Sequence, residues 1–229
     1  MKPKTSILIV TVAIGILLNS CIVKSLQPFY IKKHLSFNKA LLGNWVDNKK
    51  GQWTVEAISA KMEADKKSDA KFSDEDLKIY ETYNKGYYIT HLKKNKEAGF
   101  IAMPFKVNDT YFLDFIPIDI EDNEINSLAA KHLLKTHSVA KLNIKANKAV
   151  SLTWLNEERI TTLFEEQKIR LKHEKIGFEN DLLITASSEE LYEFLKRALD
   201  MDMFTTLKKD GEKWNSSDKL ILTKINAKP

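Results

Sequence analysis

The side chains that could do chemistry in this chain are few, and their spacing argues more against catalysis than for it. The five histidines are His34, His91, His132, His137 and His173. His132 and His137 lie in or beside an apolar stretch, Leu133–Ile144, that reads as a strand. Odd spacing on a strand puts two side chains on opposite faces, the wrong arrangement for one metal ion. No His-Glu-x-x-His, Cys-x-x-Cys or carboxylate-rich loop accompanies them, so structural or surface roles are expected and no metal or other cofactor is implied. Asp114 sits inside Tyr111-Phe112-Leu113-Asp114-Phe115-Ile116. A carboxylate among such neighbours needs a rim position or a buried partner, because an unpaired buried charge costs several kcal/mol. His137 and Arg159 are the partners considered, and Asp114, His132 and His137 form the candidate polar network. Ser187 and Ser188 lack a Gly-x-Ser-x-Gly elbow, and Ser187 is explained by a helix cap. With seven glycines in 229 residues, no glycine-rich phosphate loop exists.

Bulk composition narrows the classes further. Hydrophobic residues make up 43% and charged residues 29%, as in an ordinary globular domain. The formal charge is +5, carried almost wholly by lysine, with Arg159, Arg170 and Arg197 the three arginines. Readers of phosphate and base edges lean on arginine forks, so a nucleic-acid partner is not expected. There is one cysteine, Cys21. It cannot form a disulfide within the chain.

The context of that cysteine is the most specific local signal. Met1-Lys2-Pro3-Lys4 precedes an apolar run from Ile7 to Leu18, and Asn19-Ser20 precede Cys21. A basic start, about a dozen apolar residues and a small residue at the cut describe a secretory signal. The run is short for a membrane span, which takes roughly twenty apolar residues. Leu18-Asn19-Ser20-Cys21 resembles the lipobox of bacterial lipoproteins. That resemblance implies cleavage before Cys21, with Leu18 and Ser20 as recognition residues, and a diacylglyceryl thioether on Cys21. It also implies a membrane partner held through the lipid anchor, in the bacterial cell envelope. The absence of Asp at position 22 favours the outer membrane of a diderm, facing the periplasm. Several acyl chains on one residue would hold far more firmly than one, at about 0.8 kcal/mol for each buried methylene. Removal of residues 1–20, which contain Lys2 and Lys4 and no acid, lowers the charge by two.

The elements expected to follow are a lipidated tether over 21–40 and a single α+β domain over 41–229. The fold class expected is α+β, an antiparallel β meander followed by helices in the C-terminal half. Trp45-Val46 and Trp53–Ile58 flank a turn at Asn48-Lys49-Lys50-Gly51. Residues 59–77 read as a solvated loop or short exposed helix. A hairpin is expected from 78–83 and 87–92 across Asn84-Lys85-Gly86, then one from 99–107 and 110–116 across Asn108-Asp109. Strands are also expected at 133–144, 149–154 and 220–225. Helices are expected from Ile160, Leu163 and Phe164, and from the capping box Ser187 to Glu190 ahead of Leu191, Phe194, Leu195, Ala198 and Leu199.

Gly43-Asn44-Trp45 resembles the Gly-x-Trp signature of lipocalins, which implies an open barrel with an apolar ligand. A wider resemblance covers about residues 41–200, on Tyr111–Pro117, His132 to His137, Trp154-Leu155 and Leu182–Leu191. Together these are similar to a group of uncharacterised bacterial exported proteins and lipoproteins, which brings no activity with it. Three readings of function stay open: a non-enzymatic binding or envelope-accessory protein with an envelope protein as partner, a lipocalin-like carrier of apolar ligands, and a hydrolase using Asp114, His132 and His137.

Overall fold

Alternation of large apolar side chains along successive strands builds the molecule. The computed structural model describes residues 22–67, 72–120, 134–145, 149–178, 180–201, 203–204 and 219–225. Leu18, Ser20, Cys21 and His132 lie outside them. In chain order the elements are β1 (Lys24–Ser25), β2 (Gly43–Asp47), β3 (Gln52–Ala57), α1 (Ile58–Lys67), α2 (Asp74–Tyr83), β4 (Tyr87–Lys93), β5 (Lys96–Val107), β6 (Thr110–Ile120), β7 (Ser138–Ile144), β8 (Val150–Trp154), α3 (Glu157–Glu165), β9 (His173–Ile176), β10 (Asp181–Ile184), α4 (Ser188–Asp200) and β11 (Lys219–Lys224).

Eight of these strands, in the order β11-β2-β3-β4-β5-β6-β7-β8, form a closed antiparallel barrel. The expected meander is present, but the barrel is not open. β11 pairs with β8 on one side and with β2 on the other, leaving no free edge. The helices are not confined to the C-terminal half either, since α1 and α2 follow the second barrel strand. Residues 78–83, expected as a strand, are the end of α2. Its start is fixed by a capping box in which the Ser73 hydroxyl accepts from the Asp76 amide and the Asp76 carboxylate accepts from the Ser73 amide. The cap at Ser187 and Glu190 forms as expected, and α4 buries Leu191, Tyr192, Phe194, Leu195 and Ala198.

Two cores result from the strand period of two. Inside the barrel lie Trp45, Trp53, Val55, Tyr87, Ile89, Leu113, Phe115, Leu142, Leu152, Trp154 and Leu222. On the outer face of β5 and β6, Ile101, Met103, Phe105 and Phe112 pack against α3, α4 and the N-terminal segment. Each fully buried side chain of this size contributes about 1.5–3 kcal/mol through the water it sheds.

The segment expected as a tether is part of this second core. Val23 and Phe29 are buried, Lys24–Ser25 pair in parallel with Leu183–Ile184, and Ser25 bridges His137. Leu35 then bridges Phe105, and a short 3-10 turn at Lys39–Leu41 drives Leu41 into one end of the barrel. Residues 22–41 are therefore a strap laid along the barrel wall, not a stalk, because their apolar side chains gain more from the wall than from water.

Candidate functional site

The strap closes one end of the barrel. Leu41 is 2% exposed, its carbonyl accepts the Trp45 indole N–H at 2.9 Å, and the Tyr87 hydroxyl both donates to the Asn38 carbonyl and accepts the Asn38 amide. Burial there pushes the Tyr87 hydroxyl up to about 12. The Lys224 ammonium sits over the Trp45 ring, 5.1 Å from its centroid.

The opposite end is hollow. A cavity of about 270 Å³ lies among Trp53, Phe100, Phe115 and Trp154, with Ile22 and Leu220 also lining it. Phe115 and Trp154 meet at 5.6 Å between ring centroids, and Phe100 stands edge-on to Phe115. The period of two explains the lining. Trp45 and Asp47 share one face of β2, Trp53 faces inward across from Trp45, and His91 pairs with Trp53.

Asp47 and His91 sit at this end, beside Lys49, Lys93 and Ser138. Asp47, 6% exposed, is fully engaged. One carboxylate oxygen accepts the Lys49 and Gly51 amides at 2.7 and 2.8 Å, and the other accepts the Trp53 indole N–H at 2.8 Å. Burial raises the Asp47 carboxyl, but the Trp53 and backbone hydrogen bonds and nearby His91 outweigh it and hold Asp47 below the usual carboxylate range. His91 is placed differently. Its Nε2 is buried 3.7 Å from the Asp47 carboxylate, too far for a hydrogen bond, and has no hydrogen-bond partner. Burial lowers the His91 imidazole below its ordinary value, against a weaker opposing pull from Asp47. Burial thus disfavours the charged imidazole, and the hydrogen bonds favour the charged carboxylate. Gly51 makes the arrangement sterically possible: a Cβ there would come within 2.4 Å of His91 Nε2 and 2.5 Å of Asp47 Oδ2.

The predicted network divides between what the structure brings together and what it leaves undescribed. Asp114 points outward from the barrel into the second core and is fully buried. Its Oδ1 lies 2.6 Å from His137 Nδ1, and its Oδ2 accepts the Phe29 amide at 2.7 Å. Burial pushes the Asp114 carboxyl up, against the pull of His137 and the Phe29 amide. Arg159, the other partner considered, donates to the Met201 carbonyl. Both Asp114 oxygens are thus spent on the strap and the wall, which makes the pair a latch. Among the described residues no group of three His, Cys, Asp or Glu side chains is placed to hold a metal ion.

Asp47, Trp53, His91, Phe100 and Trp154 were not singled out from the sequence as a site. A signal existed: Trp45 and Asp47 are two apart, so a carboxylate had to share the inward face with a tryptophan.

Comparison with protein-family models, with curated proteins and with solved structures finds no match for this chain. The fold and the cavity define an eight-stranded antiparallel barrel plugged at one end and hollow at the other.

Proposed function

We propose that this chain is a non-enzymatic, lipid-anchored binding protein of the bacterial envelope, a lipocalin-like carrier whose barrel takes a small, mainly apolar ligand. The observation that carries the reading is the aromatic cavity at one end of the barrel, with the buried and unpartnered Nε2 of His91 beside it. A mainly apolar cavity with a few polar groups is the usual design of a small-ligand site, and a buried polar atom left unsatisfied costs about 1–3 kcal/mol until something pairs with it. The cavity volume falls just below the usual range of roughly 300–1,000 Å³, which favours a slender or single-ring ligand over a bulky one. The ionised Asp47 disfavours a carboxylate near His91, so the expected polar group is a hydroxyl, ester or amide.

The lipid anchor enters through Cys21 and its lipobox context, which support acylation and an envelope location. Among the described residues no helix is long and apolar enough to cross a membrane.

The test is native mass spectrometry of the mature protein released from mild detergent, followed by titration of its tryptophan emission with long-chain alcohols, fatty-acid esters and simple aromatic amides. A co-purified small molecule, or saturable quenching weakened by His91→Phe, is the expected result. No ligand by mass and no change in emission across the panel would overturn the carrier reading. Turnover of the esters, lost in His91→Phe, would overturn its non-enzymatic part.

A further inference from the structure

Three features that arise from separate parts of the chain meet at the hollow end of the barrel. The first is the chain's own path. Ile22 bridges Asn156 and lines the cavity, and Val23 is already buried at 1% exposure. Ile22 immediately follows Cys21 in the sequence.

The second feature is charge. The turn between β2 and β3 carries Lys49 and Lys50, and the turn between β4 and β5 runs Lys93-Lys94-Asn95-Lys96. Both turns lie at the hollow end, and Lys49 and Lys93 line its cavity. Glu97 follows as the acid on the same hairpin. The plugged end carries cations too, Lys39 in the strap, Lys145 after β7 and Lys224 over Trp45, although its β5–β6 turn, Asn108-Asp109, has none.

The third feature is an exposed aromatic. β10 runs parallel to β1 with Lys24 opposite Leu183, so the turn that precedes β10 lies on the Cys21 side of Lys24. That turn carries Phe178, which is 107% exposed, and Ile176 beside it is 38% exposed. Solvent gives such a side chain nothing, whereas a bilayer interface accommodates an aromatic ring.

We propose that the hollow end of the barrel is a membrane-docking surface: it lies flat on an anionic phospholipid bilayer, with Phe178 dipping into the interface and the cavity mouth opening onto the lipid. The proposal rests on acylation of Cys21. It goes beyond anchoring, since a tether alone sets no orientation. Lysines near an anionic leaflet add an attraction that falls off within a Debye length. A ligand would then pass between bilayer and barrel without crossing water.

The experiment uses the full mature chain, purified from membranes and reconstituted in vesicles of phosphatidylethanolamine and phosphatidylglycerol. Thiol titration of the wild type comes first. No reactive thiol is expected, because an acylated Cys21 carries a thioether; one reactive thiol would overturn the anchor and the docking proposal with it. An environment-sensitive fluorophore is then attached through Lys49→Cys, Phe178→Cys or Asp109→Cys, each the single thiol of its protein. Labels at 49 and 178 are expected to be severalfold less quenched by aqueous iodide than the label at 109, and to be quenched by brominated lipid. Equal iodide quenching at the three positions in an acylated protein would overturn the docked orientation while leaving the anchor intact. Replacing phosphatidylglycerol by phosphatidylcholine should raise iodide quenching at 49, and no change there would overturn the electrostatic contribution.

Discussion

Two aspartate–histidine pairs, each a buried carboxylate beside a half-buried imidazole, sit on opposite faces of the barrel wall, and they are finished to different degrees. Asp114 and His137 lie outside the wall at 2.6 Å, and the second carboxylate oxygen holds the Phe29 amide. Asp47 and His91 lie inside it at 3.7 Å, where the carboxylate is saturated by Trp53 and two backbone amides and the imidazole Nε2 has no hydrogen-bond partner. Chemistry of the same kind serves two ends. The saturated pair locks a strap to the wall, and the unsaturated one leaves an atom ready for something that is not part of the chain. Completeness of hydrogen bonding, more than residue identity, separates a latch from a site.

The largest expected effect tests the latch. Asp114→Ala strands the His137 imidazole and the Phe29 amide in an apolar core, and should cost about 3–5 kcal/mol by urea unfolding. Ligand affinity of the protein that remains folded should be unchanged. If affinity fell while stability held, the roles of the two pairs would be reversed.

Gly51→Ala comes next. Its Cβ would displace His91 and Asp47, costing about 1–3 kcal/mol as overpacking does. Unlike the latch variant, it should abolish ligand quenching of tryptophan emission even in the folded fraction.

His91→Phe should move stability the other way. Removing an unsatisfied buried polar atom is expected to be neutral or to stabilise by up to about 1 kcal/mol in thermal unfolding. Loss of one hydrogen bond to the ligand should weaken binding by roughly up to tenfold in the same titration. A clear loss of stability would mean that His91 is as structural as His137.

Smallest is the pH response. Because burial lowers the His91 imidazole, the folded protein binds fewer protons than the unfolded chain once pH falls below the unfolded value of about 6.5. Stability from this group is therefore fully present above that value and is lost as pH drops toward the lowered one. Asp47, held low, acts with the same sign further down, its contribution lost as pH falls through its depressed value. Asp114, pushed up, acts oppositely, since its folded form holds the proton to higher pH. Comparing wild type with His91→Phe across pH 5 to 7.5 isolates the first contribution, and the variant should show the flatter curve.

The local devices were legible in the sequence. The Ser187–Glu190 cap, the Asn108-Asp109 turn and the alternation around Trp45 and Trp53 each depend on residues a few positions apart. Asp114 was legible as a charge in need of a partner, since burial of a carboxylate leaves few alternatives, and His137 was among the candidates. What stayed hidden was non-local or disguised. Residues 78–83 of the helix Asp74–Tyr83 look like a strand because Ile79, Tyr80 and Tyr83 are strand formers, while the cap at Ser73 and Asp76 overrides them. The strap looked like a stalk because its lysines are evident in the sequence and the wall that buries Val23 and Phe29 is not. The cavity needed Asp47 and His91 to meet across two strand pairings, which no single window of sequence contains.

The closing strand carries a last consequence, in the order of events during folding. Ile221 donates to the Asn48 side chain across 173 residues of sequence, and β11 must find β2 and β8 together. Every other barrel pairing joins strands that are neighbours in sequence and can zip as the chain emerges. This seam has to wait for the C-terminus, and long-range closure of this kind is slow. Until it forms, Trp45 and Trp53 lie on an unclosed sheet with free edges, the state most exposed to strand-swapping with another copy. The binding chamber is thus the final thing this chain makes, and a truncation that removed residues 219–224 would leave the latch and most of the wall without it.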